Sequence, residues 1–186
     1  MRVVGGAYRG RRLVAPAGDA TRPTTDRTRE SLFNILSHRE EAPLEGARVL
    51  DLFAGSGALG IEALSRGAAF CLFVETSAAA RGAIRENTEA LSLNGVTRLH
   101  RRSATSLGDR PAGMGGPFTL AFMDPPYGQG LIDEALAGLS AGDWIAPGSL
   151  VVAEQGKDED APSVGGFEET EARAFGDTVI RFLTKL

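Results

Sequence analysis

Arg48-Val49-Leu50-Asp51-Leu52-Phe53-Ala54-Gly55-Ser56-Gly57-Ala58-Leu59-Gly60 is the stretch that decides the fold. Val49, Leu50, Leu52 and Phe53 form a short apolar run, the signature of a parallel strand covered on both faces. Glycines 55, 57 and 60 follow, and Ile61-Glu62-Ala63-Leu64 then opens a helix. The spacing is the G-x-G-x-x-G of a strand–turn–helix that holds a nucleotide-type cofactor. Glycine lets the chain bend sharply there and brings main-chain N–H groups close to a ligand. The same turn can serve close strand–helix packing alone, so two acids matter. Asp51 ends the strand, where a carboxylate repels a pyrophosphate and attracts a cation such as the ammonium of S-adenosylmethionine. At about 4 Å and an effective dielectric near 20, either effect is worth roughly 4 kcal/mol. Glu75 ends the next apolar run, Phe70-Cys71-Leu72-Phe73-Val74, about 20 residues past the glycines, where an acid grips a ribose diol. A capping or surface acid would look alike at either position.

On the amino-terminal side, residues 2–4 and 12–14 are apolar pieces around Gly5-Gly6-Ala7-Tyr8-Arg9-Gly10-Arg11 and predict a small hairpin with a basic tip. Residues 16–24 read as a loop, and 25–38 as a helix capped by Thr24 or Thr25, with Leu32, Ile35 and Leu36 on one face. On the carboxyl side the pattern alternates: strand 48–53, helix 57–66, strand 70–75, helix 77–93 and strand 97–102. After a glycine-rich loop come strand 118–123, a helix near 130–140, strand 149–153, an acidic loop 154–163 and closing strands near 167–174 and 178–184. Repeated βα units with short connections predict an α/β fold, a doubly wound, mostly parallel seven-stranded sheet with an antiparallel last strand. Pro43 and Gly46 separate a basic extension, 1–45, from the main domain, 46–186. Asp51, Glu75, Ser103 and Asp124 each follow a predicted strand, so all four are expected on one rim.

The 186 residues carry a net charge of −4. Residues 1–39 hold eight arginines against three acids, a net +5, and the remainder a net −9. A basic arm on an acidic body predicts a polyanionic partner on one face. Arginine suits bidentate phosphate contacts and stacking on bases, although the chain prefers arginine over lysine throughout. No apolar run approaches the ~18 residues of a membrane span, and the amino terminus lacks the apolar core of a signal peptide. A soluble cytoplasmic monomer is expected. Cys71 reads as core, and His38 and His100 have no partners at ligand spacing, so no metal is expected.

Asp124-Pro125-Pro126-Tyr127 follows the fourth strand of the main domain. Two prolines remove two N–H donors and stiffen the chain, and Asp124 is driven extended by Pro125. The Asp124 carboxylate and Pro125 carbonyl then act as paired acceptors beside an aromatic ring. That set suits a planar base with an exocyclic NH2, whose lone pair is freed when both N–H groups are engaged. Methyl transfer would be a direct in-line displacement driven by proximity and electrostatics. Tyr127 stacking on the base is worth roughly 1–3 kcal/mol.

With these residues in view, the chain resembles the S-adenosylmethionine-dependent amino-methyltransferases with D-P-P-Y, and among them the bacterial ribosomal RNA guanine-N2 methyltransferases of the RsmD type. The resemblance runs through Val4-Gly5-Gly6, Arg9 to Leu13, Arg22-Pro23-Thr24-Thr25-Asp26-Arg27-Thr28-Arg29-Glu30, Asp51 to Arg66 and Asp124 to Tyr127. It implies a Rossmann-like class I methyltransferase acting on one guanine of 16S ribosomal RNA, within an assembling small subunit. It implies catalysis by Asp124, Pro125, Pro126 and Tyr127. S-adenosyl-L-methionine would lie on Asp51, Phe53, Ala54, Gly55, Ser56, Gly57, Glu75, Thr76, Ser103, Ala104 and Asp124. RNA would meet Arg9, Arg11, Arg12, Arg22, Thr24, Arg27 and Arg29. Two positions depart from the family pattern: Ser77 stands where a second acid is usual, and Ser103-Ala104 where Asn or Asp often meets adenine. Adenine-N6 of DNA or another RNA amine fits D-P-P-Y equally well. A dinucleotide oxidoreductase or a non-catalytic RNA-binding assembly factor would share the glycine turn.

Overall fold

A computed structural model describes residues 1–18 and 24–186. The elements are α1 (Asp26–Ser37), β1 (Arg48–Leu52), α2 (Ala58–Ser65), β2 (Phe70–Val74), α3 (Ala78–Ala90), β3 (Thr97–His100), β4 (Phe118–Met123), α4 (Leu131–Ala141), β5 (Ile145–Gly156), β6 (Phe167–Phe175) and β7 (Thr178–Lys185). Among the described residues, seven strands form one sheet in the order β3-β2-β1-β4-β5-β7-β6. β1 through β5 pair in parallel, and β7 runs antiparallel to both β5 and β6. The expected α/β class, mostly parallel seven-stranded sheet and antiparallel last strand hold. The chain reverses its progress across the sheet between β1 and β4, and a crevice opens at such a switch point.

Right-handed crossovers put α2 and α3 on one face and, after the reversal, α4 on the other. The first face buries Val49, Phe73 and Phe122 under Ile61, Ile84 and Phe33. The second buries Leu50, Leu52 and Met123 under Ile132, Leu136 and Leu139, with Trp144 closing the layer. Gly60 permits the α2 contact: a Cβ there would stand 2.5 Å from both Cys71 Sγ and Phe73 Cε1.

The amino-terminal hairpin is reduced to one antiparallel bridge, Arg2 with Arg12, supported by Val3 N–H donating to Arg11 O and Leu13 N–H to Met1 O. It lies along α2, with its tip on that helix's last turn. Ala7 N–H donates to Ser65 O at 2.7 Å, and a Cβ on Gly6 would overlap that same carbonyl. Val3, Leu13, Leu32, Phe33 and Leu36 all join the core of the first face. Thr25 caps α1, accepting from Thr28 N.

Several boundaries shift for reasons that lie in the partner strand. β3 stops at His100, because β2 offers its last pairing at Val74. The expected acidic loop at 154–163 is corrected: Glu154, Gln155 and Gly156 belong to β5, since β7 pairs with them through Ile180, Val179 and Thr178. Glu154 thereby becomes a buried strand residue.

Candidate active site

A cavity of about 640 Å³ opens at the carboxyl ends of β1, β2 and β4. Of the residues expected to hold the cofactor, all but Gly57 line it, and the whole Asp124–Tyr127 motif lines it too. Gly57 sits behind the wall as the amino cap of α2, in the left-handed region at φ 79°. Phe53, where the strand turns into the glycine loop, holds φ 56°, a strained conformation for a non-glycine residue. Such strain persists where surrounding structure overrules it, and here the loop is pinned by the two acids.

Those acids act first on the protein itself. Asp51 is buried, and its Oδ2 accepts from Gly60 N–H at 2.9 Å, fixing the first turn of α2 against β1. Glu75 accepts from Gly55 N–H through Oε2 and from Ser77 N–H through Oε1, both at 2.8 Å. It therefore ties the glycine loop to the start of α3. Loss of solvent pushes the Asp51 carboxyl well above its usual range, and the nearby charges of Asp124 and Glu75 push the same way. A cavity walled by three mutually repelling carboxyls favours a bound cation.

At the D-P-P-Y motif, the structure adds a residue that the sequence pattern hid. Thr24 Oγ1 donates to Glu154 Oε2 at 2.7 Å and also lies 3.3 Å from Asp124 Oδ2. Tyr127 OH donates to Glu154 Oε1 at 2.8 Å and sits 3.0 Å from Thr178 Oγ1. The tyrosine ring, 45% exposed, is thus held at the cavity edge by its hydroxyl. Burial, with the adjacent Glu154 charge, raises the Asp124 carboxyl to about 8. The Tyr127 phenol is raised as well, first by loss of solvent. In the sequence Glu154 reads as the start of an acidic loop; its register opposite Asp124 is a property of the sheet. Arg102, also on the cavity wall, directly precedes Ser103 and lies two residues past the end of β3, and the strand pattern running to 102 is the signal that points to it.

The basic arm divides. Arg29 is corrected from an RNA contact to a buried structural cation, fully out of solvent. Its guanidinium meets Asp26 Oδ1 at 2.9 Å, approaches Glu62 Oε2 at 3.7 Å and donates to the carbonyls of Thr24 and Arg2. Thr24 lies half-buried on the cavity wall, with its hydroxyl on the carboxyls of Glu154 and Asp124. Arg27 is exposed on the first turn of α1. Arg9, Arg11 and Arg12 are exposed too, but the hairpin carries Arg9 and Arg11 to the opposite end of α2. An eight-residue helix spans about 12 Å, so these arginines and the cavity belong to different ends of the sheet. Arg22 lies outside the described residues.

The family described as conserved hypothetical protein 95 matches residues 1–184. The chain belongs to that family, the RsmD-type methyltransferases. Ribosomal RNA small subunit methyltransferase D of Escherichia coli K12 is 37% identical over 165 residues, covering 88% of this chain and 79% of that protein. YlbH of Bacillus subtilis, described as an rRNA methyltransferase, is 36% identical over 186 residues, covering 100% of this chain and 99% of its own. Among solved structures, yhhF of Escherichia coli, described as a methyltransferase, superposes with a TM-score of 0.84 at 32% identity, covering 100% of this chain and 97% of that one. Among the described residues, no helix is long and apolar enough to cross a membrane.

Proposed function

We propose that this protein transfers a methyl group from S-adenosylmethionine to the exocyclic N2 of a guanine in 16S ribosomal RNA, as part of small-subunit assembly in the cytoplasm. The observation that carries the reading is the shared rim: the Asp51–Gly60 loop and the Asp124–Tyr127 motif wall one cavity at the switch point of the sheet. Its relatives in Escherichia coli and Bacillus subtilis are described as ribosomal RNA methyltransferases, which favours that substrate class over a dinucleotide redox reaction.

The residues present fit the cofactor. S-adenosylmethionine, when bound, supplies a methyl group on a positively charged sulfur, and three carboxyls around one small cavity suit that charge. Asp51 and Glu75 hold the glycine loop in shape, leaving main-chain groups to face the ligand. Asp124 accepts N–H bonds from the base amine, and Pro125 offers its carbonyl beside it. Tyr127, anchored through Glu154 and Thr178, presents its ring for stacking. Because the base must leave its stack, at a cost of a few kcal/mol, an open or looped RNA segment is the favoured target. Exposed Arg102 on the cavity wall, and Arg27 on the first turn of α1, would meet phosphates, while Arg9, Arg11 and Arg12 would touch RNA further away.

The test is methylation, by this protein, of small subunits and naked 16S RNA lacking the modification, followed by mass spectrometry of the nucleosides. N2-methylguanosine is expected. N6-methyladenosine would move the chemistry to adenine, and no methylated nucleoside would return the protein to a binding role. Calorimetric titration with S-adenosylhomocysteine should give one site, and titration with NADH none.

A further inference from the structure

Glu154 is not part of the cavity wall around Asp124; it lies between that cavity and a second one. The second cavity, about 340 Å³, shares Pro125, Pro126 and Tyr127 with the first and adds Glu154, Asp158 and Glu159. Between the two catalytic-side carboxyls stands one hydroxyl. Thr24 Oγ1 is 2.7 Å from Glu154 Oε2, so it donates there, and 3.3 Å from Asp124 Oδ2. A hydroxyl has one proton to give and lone pairs with which to accept. With its proton on the Glu154 side, it faces Asp124 as an acceptor.

We propose that the Thr24 hydroxyl relays a proton from Asp124 to Glu154, clearing Asp124 to hold the base amine, and that Glu154 releases it into the second cavity. The inference rests on the methyl-transfer reading above. In that reaction the N–C bond forms as the C–S bond breaks, and the amine proton passes to Asp124. Asp124 must therefore be emptied before each round. The Asp124 O–H bond breaks as Thr24 Oγ1 takes its proton, and the Thr24 O–H bond breaks as Glu154 Oε2 takes the other. One negative charge moves from Glu154 to Asp124, and the proton on Glu154 then goes to water. The carboxyl of Asp124, raised by burial, holds the proton in the empty site, as a relay requires.

The groups facing this pair come from five places. Asp124 and Tyr127 lie on the β4–α4 loop, Thr178 on β7, and Thr24 on the arm. Arg29 reaches the pair through the Thr24 carbonyl, while Asp51 contributes charge from β1. Tyr127 donates to Glu154, so it can hold the carboxylate in place without removing a proton from it.

The test is single-turnover methyl transfer to unmodified small subunits from pH 6 to 9, in wild type, Thr24→Val, Thr24→Ser and Glu154→Gln. Gln keeps the shape of the side chain and one accepting oxygen, and its NH2 donates to whichever of the Thr24 and Tyr127 hydroxyls the oxygen does not face, so it fills the same place while losing the proton acceptor. Wild type should be flat through neutral pH, because the bound sulfonium and the amine N–H donors favour the Asp124 carboxylate and the relay lets its proton leave. T24V and E154Q should lose about 100-fold at pH 7, the low end for a positioned proton acceptor. Both should recover as pH rises, because solvent then deprotonates Asp124 directly, and T24S should restore the flat profile. A wild-type profile in T24V and E154Q overturns the relay, as does a loss that is equal at every pH, which would mark a positioning role only. An infrared pH titration of the ligand-free protein separates the two readings. A protonated carboxyl that persists at pH 7 and vanishes in Asp124→Asn supports the relay even if the substrate is another nucleic acid. Its absence at pH 7 in wild type removes the proton to be carried and overturns the proposal whatever the substrate.

Discussion

Asp124 sits where a carboxylate is costly to the fold and useful to the reaction. Removal of solvent and the neighbouring charge of Glu154 lift its carboxyl to about 8, against 3.8 for the free group. The folded state therefore binds a proton more tightly than the unfolded chain does. Stability attributable to this group is fully present below about pH 4, declines as pH rises between the two values, and is lost above about pH 8, at roughly 1.4 kcal/mol per unit of displacement as an upper bound. Melting temperatures of the ligand-free protein should accordingly fall from pH 5 to 8, and Asp124→Asn should flatten the decline. The same variant should lose methyl transfer while binding S-adenosylhomocysteine nearly as wild type does, which calorimetry checks. At Gly60 the effect is steric. A methyl group 2.5 Å from Cys71 Sγ and Phe73 Cε1 forces α2 off the sheet, so Gly60→Ala should lower the urea midpoint by the equivalent of about 1–3 kcal/mol.

Between elements, the decisive contacts are ionic. Glu62 on α2 is buried beneath three cation or N–H donors: Arg66 Nε and Val4 N–H, each at 2.9 Å, and Arg29 Nε at 3.7 Å from α1. This cluster locks the hairpin, α1 and α2 together, and it sets Thr24 over the carboxyls. Breaking a buried pair from one side strands the other charge, at about 3–5 kcal/mol, while exposed charges contribute about 0–1 kcal/mol. Arg29→Ala should therefore cut chemical stability by several kcal/mol, whereas Arg27→Ala, one helical turn's face away in solvent, should leave the denaturation curve in place. The contrast marks how far the sequence could be read. Strands, helices and the rim followed from apolar runs, glycines and prolines, which act locally. Which arginines of the arm face water did not, because Arg27 and Arg29 differ only in the helix face that meets Glu62. Glu154 was illegible for a similar reason: its partner in the site is supplied by sheet register, across 30 residues of chain.

Over the whole molecule, charge and shape are arranged to oppose each other. The net charge of −4 repels a polyanion at long range, yet the substrate proposed here is one. Attraction must then come from local groups, since exposed charges beyond about a Debye length, roughly 8 Å at physiological salt, are screened. Arg102 stands on the cavity wall and Arg27 is exposed on α1, two residues before Arg29 of that wall, whereas Arg9 and Arg11 are carried to the far end of α2. Each arginine that neutralises a phosphate contributes about 0.7–0.9 to the slope of log affinity against log salt. If the cavity end grips the target loop, Arg27→Ala should lower both affinity and slope for the isolated loop RNA. Arg9→Ala and Arg11→Ala should leave that loop's binding unchanged and weaken only the longer RNA or the particle, which alone reaches the other end of the sheet. Fluorescence anisotropy over a salt series, run with a short loop and with the particle, checks both arms. Equal slopes for Arg27→Ala and wild type on the short loop would place the phosphate contacts elsewhere.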